Sequence, residues 1–204
     1  MTQFAHEKPT LHAVVLAAGG SARFGSPKQL VRVQGRPLLH LAVARAVEIA
    51  GHAVTVVLGA HAMELAPLLR HSPATVVVNR DWAEGMASSI RIGIARLPPT
   101  CEGALLMLAD QAAVTAEDLK RLVGAWYGQP SNIAAAQYEA TSGVPAIFPR
   151  GDFASLTALR GDQGARSLLR RNTDRVTRVP MAAAAIDIDT PEDLLRLTTE
   201  PLSG

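Results

Sequence analysis

Apolar positions change their spacing along the chain in a regular rhythm. Short runs such as "HAVVLAA", "AVTVVLG", "TVVVN" and "GALLMLAD" alternate with longer stretches, "PLLHLAVARAVEIAG", "AMELAPLLR" and "MASSIRIGIARL", whose apolar residues return every three or four positions. A continuous apolar run predicts a strand covered on both faces, and the longer return predicts an amphipathic helix. Their alternation is a βαβαβ pattern. It predicts an α/β fold of three layers built on a mostly parallel, doubly wound, Rossmann-like sheet. Beyond Asp110 the rhythm loosens. Thr115 before "AEDLKRLVGAWYG" predicts an N-capped helix, and "NIAAAQY" and "VPAIFP" predict strands. "ARSLLRRN" reads as a short helix and "RVTRVP" and "AAIDID" as further strands, before a last helix, "TPEDLLRL", with Thr190 at its cap and Pro191 in its first turn. No repeat, linker or low-complexity stretch interrupts the chain, so residues 1–204 read as one domain.

Composition narrows the partners. A net charge of +2 without a basic block, and only 4% aromatic residues, argue against nucleic acid and membrane and toward a small molecule. A single cysteine, Cys101, excludes an intramolecular disulfide and fits a reducing compartment. The N-terminal residues lack the apolar stretch of a signal peptide, and no apolar run reaches membrane-spanning length, so a cytoplasmic location is expected.

Ligands of a doubly wound sheet bind beyond the carboxyl ends of its strands. That rule nominates the loop after "VVLAA", the loop after "TVVVN", Asp110 after "ALLMLA", and the carboxylates of "AIDID". In the first, "LAAGGSARFGSPKQL", Gly19, Gly20 and Gly25 let backbone N–H groups approach an anion, and Arg23 and Lys28 add positive charge. No Gly-Lys-Ser/Thr closes the loop and it is not G-x-G-x-x-G, so it is neither a Walker loop nor a dinucleotide fingerprint. A nicotinamide-dependent reductase would also need an acidic residue for the ribose, and none stands in place. Asp110 suits a magnesium ligand, since that ion takes one or two carboxylates and fills its other positions with water and phosphate oxygens. If "IDID" is a strand, Asp187 and Asp189 share a face and spacing leaves both open as the second ligand; Asp189 could equally cap the next helix. In "NRDWAEGMASSIRIG", Gly85 permits close approach and the hydroxyls of Ser88 and Ser89 could meet a nucleobase edge or cap the helix, while Trp82 fits a packing anchor. The histidines lack metal-ligand spacing.

The glycine loop resembles the signature loop of the MobA-like NTP transferases, the molybdenum cofactor guanylyl- and cytidylyltransferases, in which L-A-A/G-G-x-S-x-R-x-G-x-x-K wraps the triphosphate of an NTP. The likeness continues in order through "NRDWAEGMASSIRIG", "LADQ", "GVPAIFP", "GDQGAR" and "IDIDTPEDL", over nearly the whole chain. Ala17, Ala18 and Gly19 match the cytidylyltransferase (MocA-like) type, where guanylyltransferases tend to Ala-Gly-Gly. The resemblance implies transfer of CMP from CTP to the phosphate of molybdenum-molybdopterin, with release of pyrophosphate. It implies a triphosphate loop of Leu16, Ala17, Ala18, Gly19, Gly20 and Lys28, and catalytic roles for Arg23, Lys28 and Asp110. Asn79, Gly85, Ser88 and Ser89 would lie against base and ribose, and Gly143 and Arg166 would face the acceptor. Mg2+ would sit on Asp110 and Asp187, the aspartate three residues before Thr190, with Asp189 capping or holding water around the metal.

Three other functions share these features: the same chemistry with GTP, with a sugar or polyol phosphate as acceptor, or a nucleotide-binding chaperone that delivers cofactor to a molybdoenzyme without turnover. The chain departs from the family at Ala112, where many relatives have proline after Asp-Gln, and at Phe24, where methionine is common. Both bear on the subgroup more than on the reaction, because neither removes a charge.

Overall fold

The computed structural model describes residues 9–21, 24–188, 190, 192 and 193. In chain order, β1 (Leu11–Ala17) leads through the glycine loop to a small hairpin, β2 (Arg32–Val33) and β3 (Arg36–Pro37), and to α1 (Leu38–Ala50). Next come β4 (Val54–Leu58), α2 (Ala62–Leu65), β5 (Thr75–Val78), α3 (Met86–Ala95), β6 (Gly103–Leu108) and α4 (Ala116–Gly128). The remainder is β7 (Ile133–Tyr138), β8 (Thr141–Pro149), α5 (Phe153–Thr157), α6 (Arg166–Arg171) and β9 (Val176–Pro180).

Seven strands form one sheet in the order β5-β4-β1-β6-β8-β7-β9. β8 is antiparallel to both its neighbours, and the other pairings are parallel. β1 explains why its sequence is apolar without alternation. Val14 and Leu16 face a layer made by Ile90 and Ile94 of α3 and Leu168 of α6. Ala13, Val15 and Ala17 face Leu39 and Val43 of α1 and Leu119 and Trp126 of α4. Both faces of the sheet are therefore covered. Close packing needs a small residue on α3: a Cβ at Gly93 would stand 2.5 Å from Val14 Cγ1. The predicted cap of α4 is a full capping box, in which the Asp118 backbone N–H donates to Thr115 Oγ1 (3.1 Å) and the Thr115 N–H donates to Asp118 Oδ2 (2.8 Å).

Two expectations are corrected. The helix expected over "AMELAPLLR" is one short turn that tightens into a 3-10 turn at Ala66–Leu69, with Pro67 at its start. "AAIDID" is not a strand: Ala182–Ala185 is a 3-10 turn and residues 186–188 are irregular. Their backbone partners lie elsewhere, because Ala184 O accepts from the Gln111 side chain (3.0 Å) and the Ile188 N–H donates to Asp110 O (3.2 Å). Strand alternation thus says nothing about Asp187 and Asp189. Thr190 bonds reciprocally with Asp193 in the manner of a cap: its Oγ1 accepts from the Asp193 N–H (3.3 Å) and its own N–H donates to Asp193 Oδ2 (2.9 Å). Arg23, Asp189 and Pro191 lie outside the described residues. Among the described residues no helix is long and apolar enough to cross a membrane.

Candidate active site

A cleft of about 540 Å³ opens beyond the carboxyl ends of β1 and β6. Its floor is the glycine loop. Leu16, Ala17, Ala18, Gly19 and Gly20 all line it, as does Lys28. The loop is shaped from inside by Gln29, which is buried and donates from Nε2 to Ala17 O (3.3 Å) and Gly19 O (3.1 Å). Ser21, at φ +54°, accepts from the Lys28 N–H (3.1 Å) and donates its hydroxyl to Gln29 Oε1 (3.3 Å). Sequence reasoning missed Gln29, whose only signal was its place beside Lys28. From the other side the loop is clamped at Ala18, whose carbonyl accepts from the Ala60 N–H (3.1 Å). A Cβ at Gly59 would stand 2.5 Å from that carbonyl, so the two backbones can meet only with glycine there. Gly19 has no protein atom within 4 Å of where its Cβ would be. Its bare face is open to the cleft.

Two carboxylates stand on the opposite wall. Lys28 Nζ lies 2.5 Å from Asp110 Oδ2. Asp110 Oδ1 is buried and has no hydrogen-bond partner among the described residues. A buried carboxylate oxygen without a donor is costly, and a hard divalent cation is the partner that its chemistry fits. Asp187 lines the same cleft, brought there by the bond from Ile188 to the Asp110 carbonyl. The Ala112 N–H also donates to that carbonyl (2.9 Å), a bond that the proline of relatives could not make. No cluster of three or more His, Cys, Asp or Glu occurs among the described residues. Two carboxylates completed by water and phosphate oxygens is the coordination magnesium tolerates best.

The third wall is the β5–α3 turn. Gly85 takes φ +103°, and a Cβ there would stand 2.5 Å from the Gly161 carbonyl, so the turn and the loop before α6 touch backbone to backbone. Trp82, Gly85, Met86 and Ser89 line the cleft, with Asp162 beside them. Trp82 is 38% exposed and its ring edge packs on Gly20. Asn79 and Ser88 are not in the lining. Asn79 is fully buried and donates from Nδ2 to Ser88 Oγ (2.8 Å) and Ser89 Oγ (3.0 Å), while Ser88 donates to Gly85 O (2.8 Å). These bonds hold Ser89 at the surface of the cleft. Gly143 and Arg166 also stand outside the lining and meet at Tyr138, a residue that the sequence did not single out.

Comparison with known proteins agrees with this architecture. The model of the MobA-like NTP transferase domain matches residues 13–176. Nicotine blue oxidoreductase of Paenarthrobacter nicotinovorans is 31% identical over 201 residues, 93% of this chain and 97% of that protein. The crystal structure of Rv0371c from Mycobacterium tuberculosis H37Rv superposes with a TM-score of 0.84 at 30% identity, over 95% of this chain and 100% of that one. A complex of Rv0371c with manganese gives a TM-score of 0.77 at 29% identity, over 92% of this chain and 97% of that one.

Proposed function

The chain belongs to the MobA-like NTP transferase family and is a nucleotidyltransferase, and from that premise we propose that it transfers CMP from CTP to the phosphate of molybdenum-molybdopterin, releasing pyrophosphate. The observation that carries this reading is Asp110, one oxygen on Lys28 and the other buried without a donor, facing a glycine loop with an open floor. In this reading the backbone of Leu16–Gly20 cradles the triphosphate, and Lys28 and Arg23 offset its charge. Asp110 and Asp187 would hold a divalent cation, magnesium in our reading, with Asp189 beside its water shell. When bound, such an ion neutralises phosphate charge and polarises the α-phosphorus. A manganese complex of a relative that is 29% identical supports a divalent cation here.

Ser89 and Gly85 meet base and ribose, with Asn79 and Ser88 bracing Ser89 from behind. Gly143 and Arg166 serve the acceptor. An acceptor phosphate oxygen attacks the α-phosphorus, the bond to the β-phosphate breaks, and pyrophosphate leaves. A phosphate monoester is largely ionised near neutral pH, so no general base is required.

The test is pyrophosphate release from magnesium, molybdopterin cofactor and each of the four NTPs in turn. Release with CTP alone, abolished in Asp110→Ala, is the expected result. Release with GTP, or only with a sugar or polyol phosphate as acceptor, would reassign the substrates. Nucleotide binding without release in every combination would instead favour the delivery chaperone. A second reading comes from the relative named an oxidoreductase, which is 31% identical over nearly its whole length. It predicts redox turnover, against which the glycine loop's lack of a dinucleotide fingerprint argues, and consumption of NADH or NADPH in the same samples would reveal it.

A further inference from the structure

We propose that Tyr138 is a positioning residue that holds the Arg166 guanidinium ready for a phosphate monoester, so that Tyr138, Gly143 and Arg166 form one anion subsite on the acceptor side of the cleft. This rests on the acceptor assignment made above. Three separate segments converge on one phenol: the end of β7, the start of β8 and the first residue of α6. Arg166 Nη2 donates to Tyr138 Oη at 2.6 Å, and its guanidinium carbon lies 5.8 Å from the centroid of the same ring. Any side chain at 143 would overlap the phenol oxygen. Glycine is therefore what lets the ring stand where it does. β7 and β8 also shift register between Ala135 and Ala136, an irregularity of the kind that re-aims the side chains beyond it.

Among the described residues Arg166 is held by a side-chain hydroxyl, whereas Arg45, Arg150 and Arg160 donate to backbone carbonyls. Arg91, Arg121 and Arg175 each meet a carboxylate, on Glu84, Asp118 and Asp152. Arg166 is exposed, is fixed by a neutral phenol, and has no carboxylate partner among the described residues. An arginine held by a carboxylate has its charge answered. One held by a phenol keeps the whole charge, and most of its five N–H donors, for an incoming anion. Preorganisation matters because an exposed arginine otherwise loses rotamer freedom when it binds.

The subsite is tied to the reacting end of the cleft. Gln111, next to Asp110, donates from Nε2 to Val144 O (2.9 Å) and so bolts the strand that carries Gly143 to the acidic wall. Asp162, in the cleft lining, stands four residues before Arg166.

Steady-state pyrophosphate release at saturating CTP, with molybdopterin varied, tests this together with inorganic phosphate titrated onto the free protein and followed by the ¹⁵N signal of arginine Nε. Tyr138→Phe keeps the ring and removes the oxygen. It should raise the acceptor KM, and weaken phosphate at the Arg166 signal, on the order of tenfold, the size of one charge-assisted hydrogen bond, with kcat and the CTP KM unchanged. Arg166→Ala should raise the acceptor KM further, and adding Tyr138→Phe to it should then change nothing more. If Arg166→Ala weakens acceptor and phosphate while Tyr138→Phe leaves both as in the wild type, the positioning role is overturned and the acceptor assignment stands. If Arg166→Ala also leaves both unchanged, the acceptor assignment fails as well.

Discussion

The two ends of β1 use their polar groups differently. At the start of the strand, buried His12 bonds through Nε2 to Thr55 Oγ1 (2.9 Å), the Thr10 N–H donates to the Glu102 carboxylate (2.9 Å), and Cys101 Sγ donates to Gly103 O (3.2 Å). Burial lowers the pKa of His12 and raises that of Cys101, so both stay neutral. Most polar atoms there answer one another, although His12 Nδ1 is itself buried without a hydrogen-bond partner among the described residues. At the far end, Asp110 keeps a buried oxygen without a donor among the described residues, a Cβ at Gly19 would meet no described atom within 4 Å beyond its chain neighbours, and Trp82 stands 38% exposed. The first end completes the fold and the second waits for a ligand. Unsatisfied atoms occur at both ends, and at the carboxyl edge one of them belongs to Asp110, which lines the cleft.

The largest expected effect separates the ends outright. Asp110→Asn should lower turnover by about a thousandfold, the scale of losing one centre of transition-state charge stabilisation. Its unfolding free energy should change far less than turnover, because the amide removes a costly buried charge along with the ion pair to Lys28. Pyrophosphate release and urea denaturation measure the two separately, and a collapse of stability would mean that Asp110 belongs to the scaffold.

Two glycines sharpen the contrast within the open end. Gly59→Ala forces a methyl against the Ala18 carbonyl, 2.5 Å away, and should destabilise the protein by about 1–3 kcal/mol as overpacking does. Gly19→Ala meets no protein atom within 4 Å. It should shift stability by less than about 0.5 kcal/mol while weakening CTP binding, because the methyl projects into ligand space. Calorimetric titration of CTP beside urea melts distinguishes a loop clamp from a ligand face.

The smallest effect belongs to the closed end. His12 has a folded pKa below its ordinary 6.5 through desolvation, so the unfolded chain takes up the proton first. Its contribution to stability is present above pH 6.5 and is lost as pH falls from there through the lowered folded value. Denaturation midpoints at pH 7.5 and 5.5 should fall together with acid in the wild type and less steeply in His12→Gln.

Much of this was legible in the chain. β1, β4 and β6 show as apolar runs because both their faces are covered, and Thr115 shows as a cap because a capping box is local. "AAIDID" misled because short apolar alternation does not reveal its partner: the segment bonds to the Gln111 side chain and the Asp110 backbone instead of to a strand. Asn79 bonds both Ser88 and Ser89, yet which hydroxyl reaches the cleft depends on how α3 rotates over β1. Gln29 and Tyr138 escaped notice because their roles exist only through chain-distant partners, Gly19 for one and Arg166 for the other.

By itself the sequence determined the layers, the glycine loop behind β1 and the acid behind β6, since each is written in the spacing of one continuous segment. Only the tertiary structure decided that Lys28 would meet one oxygen of Asp110, 82 residues away, and leave the other bare, and that a phenol would hold Arg166. The reason is the strand order: β4, β1, β6 and β8 lie side by side without being consecutive in the chain, so the groups that share the cleft are set by the winding of the sheet and not by any local pattern.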